Sequence, residues 1–263
     1  MDLGIKDKIA LVAASSKGLG RACAEAIASE GAKVVICARD ADILSKTQAE
    51  IAAVTGSEIL AIPADLTRAD HIKTLVQKTI KRFGGLHILV TNAGGPPPGS
   101  FINFEDGDWQ SAFELSMMSA VRLIRAAIPH MQREKWGRII NITSLSVKEP
   151  LAPLVLSNAI RPSVHGLAKT LANEYGADGI TINNVMPGYT QTDRLKQIAA
   201  DTAKNTGAST DSVLAEMGKP VPLGRIGQPE EFGAVVAFLA SEKASYITGT
   251  SIPVDGGAIR AAF

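Results

Sequence analysis

Several features that mark other classes of protein are scarce in this chain of 263 residues. It has two cysteines, Cys23 and Cys37, in segments predicted to be a helix and a strand, without the spacing of a metal site. We therefore expect two small core residues in a reducing compartment and no bound metal. No apolar run reaches the roughly 20 residues of a membrane-spanning helix. With no signal-peptide pattern at its start, the sequence predicts a cytoplasmic protein.

Neither sign of charge is in excess, because 27 Lys and Arg residues stand against 26 Asp and Glu residues, a net charge of +1. Nothing therefore favours nucleic acid or a membrane surface as a partner, and we expect a small-molecule substrate. Aromatic residues are also few, at 5%, but hydrophobic residues make up 46% of the chain. That fraction suffices for one large core, so we expect a single domain spanning residues 1–263.

Short apolar runs rich in β-branched residues alternate with longer stretches of helical pattern. Runs that are apolar on both faces indicate parallel strands covered by helices. The alternation predicts an α/β fold with a doubly wound parallel sheet, the Rossmann fold. The predicted strands are 8–13, 33–37, 58–62, 86–91, 138–142, 181–186 and 251–254, and the predicted helices are 18–30, 41–53, 69–83, 108–133, 157–175 and 229–239.

Residues 190–220 are polar and Ala-rich between two well-defined elements, which predicts a helical insertion that covers the site as a substrate lid. Three glycines, Gly31, Gly84 and Gly176, follow predicted helices and are expected to stop them. The loop 95–101 contains Pro97 and Pro98 and is expected to form a stiff wall of the substrate pocket.

The first strand is followed by the loop Ala14-Ser15-Ser16-Lys17-Gly18-Leu19-Gly20, which opens a helix. Two glycines there let the backbone approach a pyrophosphate, which then meets the N–H groups and the positive dipole of the helix. A plain strand-to-helix turn uses the same glycines, so this alternative stays open at the level of the loop alone. The residues predicted to contact the cofactor here are Ser15, Lys17, Gly18, Leu19 and Gly20.

The end of the second strand bears on the choice between the two nicotinamide dinucleotides. NAD enzymes place an acid there to bind the ribose 2′-OH, but this chain has Ala38 followed by Arg39. An arginine can hold a 2′-phosphate through two hydrogen bonds, and Lys17 adds a second cation. We therefore expect NADP(H) to be favoured over NAD(H). Asp40 is an alternative partner for Arg39.

Seven segments, in order along nearly the whole chain, resemble the short-chain dehydrogenase/reductases, and among them the 3-oxoacyl-carrier-protein reductases. They are the glycine loop, Ala64–Leu66, Thr91–Gly94, Asn141–Glu174, Pro187–Thr192, Arg225–Glu231 and Tyr246–Gly257. The resemblance implies cofactor contacts from Asp65, Leu66, Asn92, Ala93, Gly94, Pro187, Gly188 and Thr192. Ala14 stands where the family has a Gly, which implies a turn that accepts a Cβ atom.

The same resemblance implies an atypical reaction centre. The family places a Tyr thirteen residues after its Ser and a Lys four residues after that Tyr, but here Ser144 is followed by Ser157 and Arg161. The family's relay Asn, counted from Trp109, corresponds to Ser116. The resemblance thus implies an oxidoreductase that transfers hydride between NADPH and a carbonyl or alcohol. Ser144 and Ser157 would orient the substrate, and Arg161 would bind the ribose and stabilise negative charge.

The source of the proton is left open by the sequence. A Ser hydroxyl is far less acidic than a Tyr phenol, and loss of a positioned acid typically costs about 10²–10⁴ in rate. Tyr189, His165 and the pair Lys148 and Glu149 are candidate donors or substrate contacts, but packing, an interface or a solvated surface is the simpler explanation of each. Water or the substrate itself is a further candidate.

Two other functions remain open. The chain is alternatively a catalytically inactive NADP-binding module that acts as a sensor or interaction protein, or an enzyme of non-redox chemistry such as a dehydratase or isomerase. Similar members of the family associate through two helices that correspond to residues 108–133 and 157–175, so the resemblance also implies a homotetramer.

Overall fold

The computed structural model describes residues 2–261, and of Asn205 only the backbone. The ends of the predicted domain, Met1 and residues 262–263, lie outside the described residues. Seven parallel strands form one sheet in the order β3-β2-β1-β4-β5-β6-β7, which is the predicted doubly wound α/β fold. The strands are β1 Ile9–Val12, β2 Lys33–Ala38, β3 Ile59–Pro63, β4 Ile88–Thr91, β5 Gly137–Ile142, β6 Ile180–Pro187 and β7 Ser251–Val254.

Helices cover both faces of the sheet, and two large clusters of buried side chains fill the layers between helices and sheet. No helix in the described part of the chain is long and apolar enough to cross a membrane. The α-helices are α1 Gly18–Ser29, α2 Ala41–Thr55, α3 Ala69–Phe83, α4 Asp106–Phe113, α5 Ser119–Glu134, α6 Val155–Ile160, α7 Pro162–Tyr175, α8 Asp193–Thr206, α9 Thr210–Gly218 and α10 Pro229–Leu239.

Two helices predicted to be continuous are interrupted. The predicted helix 108–133 contains a π-helical turn, Glu114–Met118, between α4 and α5. The predicted helix 157–175 is divided at Arg161, because Pro162 has no N–H to donate and therefore begins a new helix, α7, as its first residue. Both interruptions lie beside the candidate site, where an unusual turn redirects side chains.

One of the predicted helix stops works differently from the expectation. Gly31 and Gly84 adopt positive φ angles of 82° and 90° and end α1 and α3 as expected. Gly176 has φ −60°, and the chain continues into a 3₁₀ turn, Gly176–Asp178. The left-handed residue is instead Gly179, where a Cβ atom would lie 2.3 Å from the carbonyl oxygen of Lys135. The close approach of the Lys135 backbone therefore requires a glycine at residue 179. The local sequence pattern gives no sign of this approach.

The segment expected to form a helical insertion does so. Residues 190–220 contain α8 and α9, which pack against each other through a small cluster of Ala199, Ala203 and Val213 with Leu214 and Met217. The side chain of Thr192 accepts a hydrogen bond from the N–H of Leu195 and so caps the start of α8.

Candidate active site

The glycine loop forms a close turn between β1 and α1. Gly18 has φ 59° and begins α1. A Cβ atom on Gly20 would lie 2.3 Å from the carbonyl oxygen of Ala14 and 2.9 Å from Nδ2 of Asn92, so no larger residue fits there. Asn92 Nδ2 donates a hydrogen bond of 3.1 Å to the same carbonyl of Ala14. The loop is therefore tied to the end of β4, and the free N–H groups of α1 face the cleft.

The loop also contains a residue in an unusual conformation. Ala14 has φ 46°, so the expected turn with a Cβ atom is present, in a left-handed conformation that costs a non-Gly residue roughly 1–2 kcal/mol. The neighbouring Ser15 is fully buried and donates from its hydroxyl to the carbonyl of Val12 at 2.7 Å. The hydroxyl oxygen of Ser15 in turn accepts a hydrogen bond of 3.2 Å from the N–H of Cys37. This hydroxyl therefore joins β1 to β2.

The two cations expected at the adenosine end are exposed beside the second strand. Asp40 does not pair with Arg39, because its carboxylate caps α2 by accepting from the N–H groups of Asp42 and Ile43. Asp65 lies at the end of β3 with a lowered pKa, owing mainly to a hydrogen bond from the N–H of Thr67 and also to the nearby charge of Arg39. Lys17 and Arg39 are both solvent-exposed, so their charged ends are open to a ligand.

The start of the lid approaches the glycine loop. A cleft of about 140 Å³ opens between α1 and the first residues of the lid, and its walls include Gly18, Thr192 and Asp193. After β6, Gly188 has no room for a side chain, since a Cβ atom would lie 2.6 Å from Cα of Asp255. Pro187 ends β6 directly before it. Predicted cofactor residues from distant parts of the chain, Gly18 and Thr192, therefore meet across one cleft.

Arg161 is a partly buried cation at the centre of the site. One of its Nη atoms donates to the carbonyl of Thr143, just after β5. Burial, reinforced by the charge of Arg194, lowers the pKa of Arg161 to about 10, so the guanidinium stays protonated at neutral pH. The ion pairs within the described residues do not include Arg161. A buried positive charge without a carboxylate is costly unless a ligand stabilises it.

A small cavity beside Arg161 connects it to the cofactor residues predicted on β4. The cavity has a volume of about 20 Å³, and Asn92, Ala93, Thr143 and Ser116 are among its lining residues. The hydroxyl of Ser116, in the π-helical turn, is buried and makes no hydrogen bond in the described part of the protein. The structure thus brings Arg161, Asn92 and Ser116 together, whereas Lys17 and Arg39 do not line this cavity.

The two predicted catalytic serines do not contact each other. Ser144 accepts a hydrogen bond of 3.1 Å from the N–H of Ser146, and the hydroxyl of Ser146 lies 3.4 Å from that of Ser157. Ser146 and Ser157 are both buried. Sequence reasoning missed Ser146, and only its position two residues after Ser144, on a short 3₁₀ turn, could have drawn attention to it.

Two further residues belong to the site: Arg194, which had no role from the sequence, and His165, which was there only one of several candidate donors or contacts. Arg194, at the start of α8, donates to the carbonyls of Gly95 at 3.1 Å and Pro96 at 3.2 Å, which links the lid to the Pro-rich loop. His165 is half-buried and forms hydrogen bonds with the hydroxyls of Thr143 and Ser251. Its spacing of one helical turn from Arg161 was the available signal.

Comparison with known proteins gives matches over nearly the whole chain. A family model described as enoyl-(acyl carrier protein) reductase matches residues 13–258. A 3-oxoacyl-[acyl-carrier-protein] reductase of Synechocystis sp. is 34% identical over 96% of this chain and 97% of its own length. A D-beta-hydroxybutyrate dehydrogenase of Rhizobium meliloti is 33% identical over 95% and 98%. The crystal structure of L-sorbose reductase from Gluconobacter frateurii with NADPH and L-sorbose superposes with a TM-score of 0.96, at 33% identity over 99% of this chain and 100% of that one.

Proposed function

Because the chain belongs to the short-chain dehydrogenase/reductase family, we propose that it is an NADPH-dependent oxidoreductase acting on a carbonyl or alcohol group with an unusual reaction centre. The observation that carries this proposal is the partly buried cation Arg161, which has no carboxylate partner among the described residues and faces the same cavity as Asn92. Such a cation is suited to ribose hydroxyls and to the negative charge that develops on a carbonyl oxygen during reduction.

The start of α1 is suited to a dinucleotide. The positive φ of Gly18 and the close packing of Gly20 against the carbonyl of Ala14 support the tight turn that a pyrophosphate-binding loop needs. Asp65 and Leu66 follow β3 on the adenosine side, and Ala93 and Gly94 follow β4 on the nicotinamide side. When bound, the cofactor supplies the hydride. Similar proteins are described with NADPH, among them an L-sorbose reductase and an actinorhodin polyketide ketoreductase.

A preference for NADP(H) over NAD(H) follows from the charges at the adenosine end. Arg39 is exposed and is not claimed by Asp40, whose carboxylate is occupied by the N-terminus of α2. Arg39 and Lys17 together can neutralise much of the charge of a 2′-phosphate. We expect Arg39→Ala to raise the KM for NADPH by at least about tenfold while changing that for NADH little, since loss of a charge-assisted hydrogen bond costs about 1.5–3 kcal/mol.

Each of the three predicted residues of the reaction centre would have a separate role. Ser144 has a hydroxyl hydrogen free to donate to a carbonyl oxygen, because its recorded hydrogen bond uses the oxygen as acceptor. Arg161 holds a fixed positive charge next to the same region. Ser157 acts through Ser146, with which it shares a hydrogen bond, and so fixes the turn that presents Ser144. The proton comes from water or from the substrate.

One observation favours the alternative of a non-catalytic NADP-binding protein. The hydroxyl of Ser157 is buried against Ser146 and therefore does not stand free in the cleft as a proton donor would. The lid, Arg39 and Arg161 serve cofactor binding equally well in that case, so the two proposals differ only in hydride transfer.

The deciding experiment is isotope transfer. The protein is incubated with NADPH deuterated at the pro-S position of C4 and with fractionated cell metabolites, and mass spectrometry searches for products that carry the label. A labelled product that disappears with Ser144→Ala, but persists with the surface control Ser29→Ala, supports the oxidoreductase. NADPH binding without any labelled product supports the non-catalytic alternative.

A further inference from the structure

A row of polar side chains, three buried and one partly buried, crosses four strands of the sheet next to the site. Thr91 on β4, Asn141 on β5, Asn184 on β6 and Ser251 on β7 are neighbours in the strand register. Each side chain bonds to the next, with distances of 2.7 Å from Thr91 to Asn141, 3.0 Å from Asn141 to Asn184 and 3.1 Å from Asn184 to Ser251. Burying polar side chains within a sheet costs free energy unless each side chain is hydrogen-bonded. The complete pairing along this row is therefore a specific feature of the fold.

The row continues through a histidine and returns to the site. Ser251 Oγ lies 2.8 Å from Nδ1 of His165, and Nε2 of His165 lies 2.9 Å from Oγ1 of Thr143. The carbonyl of Thr143 accepts the hydrogen bond from Arg161. Hydrogen bonds therefore link Thr91, beside Asn92, across the sheet to the side chain of Thr143, whose backbone carbonyl binds the guanidinium of Arg161.

The direction of donation along this chain of hydrogen bonds favours one tautomer of His165. When Ser251 accepts from the amide of Asn184, the acceptor for its single hydroxyl hydrogen among the described residues is Nδ1 of His165. Nδ1 must then carry no hydrogen, and Nε2 carries it and donates to Thr143. Thr143 in turn can donate to the carbonyl of Val185, at 3.4 Å. The opposite tautomer would leave the hydroxyl hydrogen of Ser251 without a partner among the described residues.

We propose that His165 is a positioning residue, held as the neutral Nε2–H tautomer by this chain, which fixes the backbone at Thr143 and thereby aims Arg161 at the ribose and the substrate. The positioning role of His165 rests on the proposed function in one respect, which is the identity of the ligand that Arg161 binds. A low pKa, about 4, is consistent with a neutral imidazole and has burial as its main cause, with the charge of Lys148 adding to it.

The tautomer is tested without any ligand. Long-range ¹H–¹⁵N NMR of the histidine rings at neutral pH should show His165 with a hydrogen on Nε2 and none on Nδ1. An imidazolium, or a hydrogen on Nδ1, overturns the proposal. Because no cofactor is present, the result stands even if the protein proves not to bind NADPH.

The positioning role is tested with substitutions of graded chemistry. His165→Phe fills the space but cannot bond, and His165→Gln can both accept and donate. We expect His165→Phe to weaken NADPH binding, measured as Kd by fluorescence titration, by about tenfold, the effect of one lost hydrogen bond. His165→Gln should stay within about twofold of the unmodified protein. The control is His130→Phe, at a partly exposed position of α5.

Two further variants keep the test decisive. Ser251→Ala removes one hydroxyl and should raise the Kd in the same direction if His165→Phe fails to fold. Combining His165→Phe with Arg161→Met should shift the urea midpoint by less than the sum of the single shifts, because both act on Thr143. Additive shifts, or a folded His165→Phe protein with unchanged Kd, contradict the positioning role, whereas absence of NADPH binding by the unmodified protein contradicts only the proposed function.

Discussion

At the scale of single residues, two positions of the glycine loop differ in whether they can carry a Cβ atom. Gly20 cannot carry a Cβ atom because the carbonyl of Ala14 is too close. Ala14 does carry one, although its φ of 46° belongs to the left-handed region that favours glycine. The strain at Ala14 therefore comes from its backbone conformation and not from a clash of its Cβ atom with other atoms.

Replacing Ala14 by Gly should stabilise the protein. A glycine adopts the left-handed conformation without the penalty of a Cβ atom, so we expect the free energy of unfolding to rise by about 1 kcal/mol. Urea denaturation followed by circular dichroism measures this change. The matched control is Ala13→Gly, at a buried position with ordinary φ, which should lower the stability by a similar amount. A loss of stability in Ala14→Gly contradicts the strain argument.

The pKa of His165 predicts a loss of stability in mild acid. Its pKa is lowered to about 4 in the folded state from an ordinary value of 6.5, chiefly by burial. As pH falls below 6.5 the unfolded chain binds the proton first, so stability falls with pH until the folded pKa is reached. Since the ring is partly exposed, solvent screening reduces the contribution to about 1–2 kcal/mol between pH 7.5 and 5.

The measurement compares urea midpoints at pH 7.5 and pH 5 for the unmodified protein and for His165→Gln, which cannot titrate. The unmodified protein should lose more stability over this interval, by the amount attributed to His165. Carboxylates affect both proteins alike and cancel in the comparison. Equal losses would show that His165 does not change its charge on unfolding in this range.

At the scale of elements, interruptions of helices place the groups of the site. The π-helical turn between α4 and α5 contains Ser116, which faces the cavity beside Arg161. The start of α7 at Pro162 leaves Arg161 as the residue between two helices. The apolar pattern of both stretches predicted helix correctly, but the pattern reports which face is buried and gives no sign of a change in helical pitch.

The link between the lid and the Pro-rich loop belongs to this scale as well. We expect Arg194→Ala to loosen α8 and α9 and to raise the Kd for NADPH by about 3–10-fold, since it removes two hydrogen bonds from a charged donor. Limited proteolysis should cut Arg194→Ala faster within residues 193–218 than it cuts the control Lys196→Ala, whose side chain is exposed on the same turn. Equal cleavage rates would mean that Arg194 does not hold the lid.

At the scale of the whole molecule, the parallel sheet brings residues from the entire chain to one edge. The glycine loop and the segment after β6 face the same cleft, and the ends of β3, β4 and β5 lie at the same edge of the parallel sheet, which is where ligands bind in open α/β sheets. Strand order and register are therefore the reason that distant segments such as Gly18 and Thr192 become neighbours.

The proposed homotetramer is tested at this scale. Phe113, at the end of α4, is 43% exposed, within the region proposed to associate. An exposed aromatic ring in such a position favours burial against another copy. We expect Phe113→Asp to reduce the mass measured by sedimentation velocity from tetramer to a smaller species. Val54→Asp, at an equally apolar and more exposed position of α2, should leave the mass unchanged.

The sequence by itself determined the α/β class, the seven strands, most helix ends and the glycine loop, because these depend on local periodicity and on backbone needs of single residues. It also placed Arg161 and Asn92 as site candidates. Only the tertiary structure decided that Ser157 pairs with Ser146, that Arg161 bonds to Thr143, and that His165 joins two strands. Those partners lie up to 86 positions apart in the chain, and hydrophobic patterning carries no information about which distant polar groups meet.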